Sequence, residues 1–331
     1  MNKDNKTVVV TGGAGYVGSP LVNTLLQNNL NVIVIDKLAY GGESLLGVWH
    51  HPNFRFYKID ITHADDLKIV FENHKIDAII HLAAIVGDPA CAKQPELAKA
   101  VNETAAFNIL ELALANDVER FIFASTCSNY GKMADSSSFI NEESPLAPVS
   151  LYAELKVKFE KELLNNTPRS SFFCPTAFRF ATVYGISPRM RFDLTVNEFS
   201  KELALGRELE VFGEQFWRPY CHVIDFAKVM LLALNADKEK VSHNVFNVGS
   251  TEENYTKQML VDEVKKILPD ARVKFVKKTE DPRDYRVSFQ KINQELGFEI
   301  TKKVPDGIRE VISAIKENVF LNPDDSKYKN V

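Results

Sequence analysis

The stretch Val8-Val9-Val10-Thr11-Gly12-Gly13-Ala14-Gly15-Tyr16-Val17-Gly18 joins a β-branched run to four glycines and then to an apolar, helix-like segment. Consecutive valines suit a strand buried on both faces, as in a parallel sheet. Glycines permit a tight turn and let the backbone approach phosphate oxygens with no Cβ between them. A helix opening there points unpaired N–H groups, and the positive end of its dipole, at an anion. The glycines read either as Gly13-x-Gly15-x-x-Gly18 or as Gly12-x-x-Gly15-x-x-Gly18. Strand before and helix after are the setting that a dinucleotide pyrophosphate requires.

Working outward, Asn31-Val-Ile-Val-Ile-Asp36 reads as a second strand ending in an acid. Asp36 lies about 20 residues beyond Gly15, the spacing at which a carboxylate meets the adenosine ribose. It would accept from both ribose hydroxyls and repel a 2′-phosphate, which favours NAD, while Lys37 beside it leaves NADP open. Further strands are expected at 54–60, 78–84, 120–125 and 172–180, alternating with helices at 15–28, 64–73, 96–116 and 151–165. That alternation is the pattern of α/β proteins built on a Rossmann doubly wound parallel sheet, whose ligands bind beyond the carboxyl ends of the strands. Thr11, Asp36, Ala83 and Ser125 fall at such ends. A strand near 243–248 is expected to return to the sheet. Residues 1–180 then form an NAD-binding domain, and 181–331 mainly a smaller α/β substrate-binding lobe. Residues 133–149, rich in Ser, Pro, Asn and Glu, read as a surface loop over the site.

Bulk properties narrow the function further. The 331 residues are 45% hydrophobic and 25% charged, with a formal net charge of −4. Such a balance gives no electrostatic case for nucleic acid. No apolar run approaches the roughly 20 residues needed to span a bilayer, and the polar start Met1-Asn2-Lys3 is unlike a signal peptide. Cys91, Cys127, Cys174 and Cys221 lie far apart, without a CxxC pair, and the histidines form no ligand cluster. A reduced, cytoplasmic protein without a metal is expected.

The chemistry centres on Tyr152-Ala-Glu-Leu-Lys156, which places a phenol and an ammonium four apart on one helical face. A free tyrosine titrates near pH 10, so a base at neutral pH needs positive charge beside it. Ala124-Ser125-Thr126-Cys127-Ser128-Asn129-Tyr130-Gly131 adds hydroxyls at a strand end. Together with Thr11 to Gly18, Asp60-Ile61, His81-Leu82-Ala83-Ala84, Asn102, Arg218-x-Tyr220-x-His222 and Asn247-Val-Gly249, the chain resembles the extended short-chain dehydrogenase/reductase family. Members of that family mostly act on nucleotide sugars.

The resemblance favours the Gly12/Gly15/Gly18 register and implies roles for individual residues. Gly12, Gly15, Tyr16, Val17, Gly18, Asp36, Asp60, Ile61, Leu82, Ala83, Ala84, Asn102 and Ser125 would line the NAD site. Tyr152 would be the acid/base, Lys156 would hold the nicotinamide ribose, and Thr126 would hydrogen-bond the reacting oxygen. Arg218 matches the arginine that binds the sugar-nucleotide diphosphate, and Arg283 lies where a second such arginine is common. Arg189 and Arg191 would either add to them or form structural salt bridges. Asn197 would either contact the substrate or cap a helix, and Phe212 or Phe216 either stacks on the base or packs in the core. Family members commonly dimerise through the helices that correspond to 96–116 and 151–165.

The departures sharpen the expected reaction. Sugar 4,6-dehydratases carry Asp-Glu after the catalytic Thr, where this chain has Cys127-Ser128, so 4,6-dehydration is not expected. UDP-hexose 4-epimerases usually carry Asn after the sixth strand, where this chain reads Arg179-Phe-Ala-Thr182. Val86-Gly-Asp-Pro-Ala-Cys91 also differs and is loosely similar to enzymes that oxidise GDP-heptoses at C4. Epimerisation at a sugar C4 through a keto sugar, and a 4-dehydrogenase that releases the keto sugar, both remain open. A non-catalytic NAD-binding sensor would have no use for the Tyr152/Lys156/Thr126 set.

Overall fold

The computed structural model describes residues 1, 5–132, 138–169, 172–278 and 283–330. Among them the strands are β1 (Thr7–Thr11), β2 (Asn31–Asp36), β3 (Phe54–Lys58), β4 (Ala78–His81), β5 (Arg120–Thr126), β6 (Cys174–Phe180), β7 (Thr182–Tyr184), β8 (Leu209–Phe212), β9 (Trp217–His222), β10 (Asn244–Val248), β11 (Asn254–Thr256) and β12 (Val273–Val276). Seven make one parallel sheet in the order β10-β6-β5-β4-β1-β2-β3. The order reverses beside β1, so a crevice opens at the carboxyl ends of β1 and β4, where such sheets bind ligands.

Alternation along the strands explains why both faces are buried. Val8, Val10, Val32, Val34, Ile80 and Ile122 join one core. Val9, Ile33, Ile35, Ile79, Phe121 and Phe123 join the other. Each strand therefore reads as a continuous apolar run while its side chains serve two cores. β10 returns to the sheet beside β6, with Phe246 opposite Phe178. All four cysteines are free and buried.

Several helices differ from their sequence-based bounds. The first begins at Gly18 and ends at Gln27, because Gly12 to Val17 are used in the turn. The expected single helix over 96–116 is Pro95–Lys99, a wider π turn at Ala100–Ala105, and Ala106–Ala115. The helix carrying Tyr152 runs Leu151–Lys161 and ends in a second π turn, Glu162–Asn166. Such turns insert one extra residue, invisible to a 3.6-residue periodicity, and cluster at functional sites. Of the loop over 133–149, residues 133–137 lie outside the described ones. The remainder is held down, since Ile140 bridges to Val287 and the Ala147 N–H donates to the Asn129 carbonyl at 3.0 Å.

Beyond β6 the chain builds a separate layer, with a β11-β9-β7 sheet, a β8-β12 pair and a core that includes Tyr184, Phe199, Tyr220, Leu260 and Ile308. Tyr16 ties this layer to the glycine turn. Its phenol donates to the Gly185 carbonyl at 2.6 Å, and the Ser187 hydroxyl donates to the Tyr16 carbonyl at 2.7 Å. No helix among the described residues is long and apolar enough to cross a membrane.

Candidate active site

The glycine turn is built so that side chains are excluded. Gly12 has φ +74°, and a Cβ there would lie 2.8 Å from the Ala83 amide nitrogen. A Cβ on Gly18 would lie 2.2 Å from the Gly12 carbonyl oxygen, so the helix start could not approach the turn. Replacing Gly12 by Ala should combine backbone strain of roughly 1–3 kcal/mol with a displaced turn. The expected result is a lowered melting temperature and purification without bound dinucleotide, read by absorbance after acid release. The Thr11 hydroxyl joins the turn to the end of β4, accepting from the Leu82 and Ala83 amides, each at 3.2 Å. Small residues at Ala83 and Ala84 thus lie beside the turn, as a cofactor resting on backbone needs.

Thr11 also hydrogen-bonds His81 Nδ1 at 2.8 Å. His81 is buried, and burial holds its pKa down at about 3. The folded protein therefore keeps this imidazole neutral, whereas the unfolded chain takes up a proton below about pH 6.5. Stability from this group is present above pH 6.5 and lost as pH falls toward 3. Between pH 7 and 4.5 that loss is about 2 kcal/mol. Urea unfolding of wild type and His81→Gln at both pH values should show the smaller acid loss in the variant.

At the end of β2, Asp36 accepts from the Ala14 N–H at 3.0 Å and from the Leu38 N–H at 2.8 Å. Burial raises its pKa, and these donors act the other way. One backbone donor on each oxygen fixes the carboxylate and leaves acceptor capacity for ribose hydroxyls. Lys37 is drawn away from it to Asp60, at 3.3 Å. Asp60 also accepts from Thr62, and Ile61 is buried behind it.

Across the crevice stands the helix Leu151–Lys161. The Ser150 hydroxyl caps it, accepting from the Ala153 N–H at 3.3 Å. The half-buried Tyr152 side chain stands close to Thr126, and burial raises its pKa above the ordinary phenol value. One turn on, the Lys156 ammonium donates to the Ala124 carbonyl at 2.7 Å and lies 4.6 Å from the Phe123 ring centre. Burial lowers its pKa to about 8. Thr126, Tyr152 and Lys156 are thus brought together at the end of β5.

A third turn adds Glu160, which the sequence reading missed. Tyr152, Lys156 and Glu160 repeat every four residues, and that spacing was the available signal. Glu160 is buried, accepting from the Ser125 hydroxyl at 2.5 Å and from Arg179 Nη2 at 2.5 Å. Arg179 also donates to the Tyr130 phenol at 2.8 Å, and that phenol donates to Asn247 at 2.7 Å. A buried polar chain thereby anchors β5, β6 and β10 beneath the reacting groups.

Several residues expected at the site have their side chains engaged within the chain. Ser125 gives its hydroxyl to Glu160, and the Tyr16 phenol is committed to Gly185. Asn102, in the first π turn, brackets Ile85, accepting from its N–H at 2.8 Å and donating to its carbonyl at 2.9 Å. It shapes the loop after β4 through those bonds. Asn197 is fully buried and neither caps its helix nor reaches a cleft. Its amide serves Gly185, the Tyr16 phenol and the Arg191 carbonyl. Arg189 stacks 4.1 Å over Tyr40 and interacts with Asp36, so it stands at the ribose end of the cofactor groove, away from the expected diphosphate. Phe216 is core, and Phe212 is exposed.

Arg218 lies 5.3 Å over the ring of Tyr285, whose phenol stands near Ser128. Cys127 is buried, its thiol donates to the Arg179 carbonyl at 3.2 Å, and burial raises its pKa. Neither Cys127 nor Ser128 offers a carboxylate. Among the described residues no group of His, Cys, Asp and Glu is placed to hold a metal.

A family model described as the NAD dependent epimerase/dehydratase family matches residues 8–249. The chain belongs to this family. It is an NAD-dependent enzyme of the extended short-chain dehydrogenase/reductase group. A UDP-glucuronate 4-epimerase of Thermodesulfobacterium geofontis is 27% identical over 95% of this chain and 97% of its own length. The Thermotoga maritima UDP-glucose 4-epimerase with UDP-glucose is 26% identical with a TM-score of 0.83, covering 95% of this chain and 99% of that one. A UDP-glucuronic acid 4-epimerase from Bacillus cereus, in complex with UDP-glucuronic acid and NAD, is 25% identical with a TM-score of 0.82, covering 94% and 99%.

Proposed function

We propose that the protein is a nucleotide-sugar 4-epimerase that works through a keto sugar. The gathering of Tyr152, Thr126 and the buried Lys156 at the carboxyl end of β5, two strands from the glycine turn that follows β1, carries this reading. NAD fits this groove, because Gly12 and Gly18 leave no room for a Cβ and Asp36 is fixed for a ribose. NAD held there would supply a reversible hydride acceptor for the sugar carbon. Tyr152 takes the proton of the sugar hydroxyl, Thr126 orients that oxygen, and Lys156 supplies positive charge beside the phenol. Holding the sugar carbon in place replaces a collision by a fixed approach. Arg218 meets the diphosphate, for which a guanidinium fork is suited. Residues 1–180 serve the cofactor and 181–331 mainly the substrate. The chain acts as a cytoplasmic homodimer through the helices at 96–116 and 151–165, which Lys158 and Glu103 link within one chain. Sedimentation showing only monomer would remove the last point.

Incubation with UDP-, GDP-, dTDP- and CDP-sugars tests the reaction. A product of unchanged mass with an inverted carbon, seen by NMR, is expected. A product lighter by two hydrogens, with reduced nicotinamide appearing, would instead establish the 4-dehydrogenase. Loss of water would contradict the argument from Cys127 and Ser128.

A further inference from the structure

Asp88 has no place in the mechanism above, yet it stands beside the acid/base. It follows Gly87, whose φ is +94°, just past the end of β4. Its Oδ1 accepts from the Ser150 hydroxyl at 2.6 Å, and Ser150 caps the helix that carries Tyr152. Its Oδ2 accepts from Arg283 Nη1 at 2.9 Å. Cys91, on the same short helix as Asp88, packs with Tyr152 and Leu155. The carboxylate is 25% exposed and its charge is felt at Tyr152. Arg283, expected at the diphosphate, is held here at the Tyr152 side of the cleft.

We infer that Asp88 is a specificity-determining residue that restricts the enzyme to nucleotide sugars whose sugar is uncharged, against those bearing a carboxylate. The inference rests on the nucleotide-sugar reading, which places the sugar at Tyr152. A carboxylate with one protein donor on each oxygen still accepts hydrogen bonds from sugar hydroxyls. A uronate would bring a second anion next to it, and two carboxylates sharing one side of the cleft repel. Arg283 already has Asp88 as its counter-ion, so it does not compensate the incoming charge in full. Discrimination comes from this repulsion as much as from any contact to the preferred sugar.

The test is calorimetric binding of matched pairs to the NAD-loaded enzyme: UDP-glucose with UDP-glucuronate, and GDP-mannose with GDP-mannuronate. In whichever pair binds, the neutral member is expected to bind at least tenfold tighter. Asp88→Asn should narrow that gap at least fivefold. Arg283→Gln should widen it, because Asp88 loses its counter-ion, and this second variant keeps the test decisive if the first fails to fold. Equal affinities, a preference for the uronate, or gaps unchanged in the variants would overturn the role of Asp88 while leaving the nucleotide-sugar reading intact. Binding of no member of either pair would overturn the role of Asp88 for these sugars, and turnover of none of the UDP-, GDP-, dTDP- and CDP-sugars would overturn the nucleotide-sugar reading as well.

Discussion

Tyr152→Phe is expected to lower turnover of a nucleotide sugar by about 10²- to 10⁴-fold, the range for loss of one positioned acid/base. The ring is half-buried and the change removes only the oxygen that meets Thr126, so fold and NAD content should be unchanged. Substrate affinity should shift little, which places the loss in kcat. In wild type, kcat/KM should rise with pH up to the ionisation that readies the phenol. Burial holds that ionisation high in the protein alone, and cationic neighbours bring it down. The variant's residual rate should lack this rise. An unaltered rate in the variant would remove Tyr152 as the acid/base, and no turnover in wild type with any nucleotide sugar would favour the sensor reading.

The second large effect is expected one layer below the chemistry. Glu160→Ala leaves the Arg179 guanidinium, only 6% exposed, without its carboxylate. Breaking one partner of such a pair costs about 3–5 kcal/mol, because a buried charge is left uncompensated. Urea unfolding should show this as a lowered midpoint. Ser125 loses its acceptor in the same change, and the Arg179 that donates to Tyr130 loses its own support, so surviving protein should have a reduced kcat. Removing both charges, as Glu160→Gln with Arg179→Met, should recover much of the stability, while kcat recovers only in part because Tyr130 has lost its Arg179 donor. If stability is not recovered, the cost lies in packing rather than in the stranded charge.

The pattern of local signals explains what could be read early. A valine strand, a glycine turn and an acid some 20 residues on are contiguous or regularly spaced. They therefore announced the Rossmann core, the cofactor turn and Asp36 directly. The four-residue spacing of Tyr152 and Lys156 put them on one helical face, and the hydroxyls near Thr126 marked the strand end opposite. Cys127 and Ser128 were legible as an absence of acids, and the fold assigns them other tasks.

Residues named from position alone fared differently. Asn197, Asn102 and Arg189 occupy plausible sequence positions, but their partners, such as Tyr16, Ile85 and Tyr40, lie in other elements that only the fold brings to them. Arg283 is a similar case, since its partner Asp88 follows a different strand. The π turns at Ala100–Ala105 and Glu162–Asn166 were hidden because periodicity does not register one added residue.

The amino-acid order was enough to specify the sheet, the cofactor groove and the Thr126/Tyr152/Lys156 set, because each depends on near neighbours along the chain or on strand periodicity. Tertiary structure alone decided which polar groups are consumed in holding that set and which still face the cleft. The physical reason is that a buried polar group must find a partner wherever the fold supplies one. Glu160 found Arg179, Asn197 found Tyr16, and Asp88 was left beside Tyr152 with an exposed edge. Gly12 to Gly18 thus state which cofactor is held, and the packing around Asp88 and Arg218 bears on the substrate.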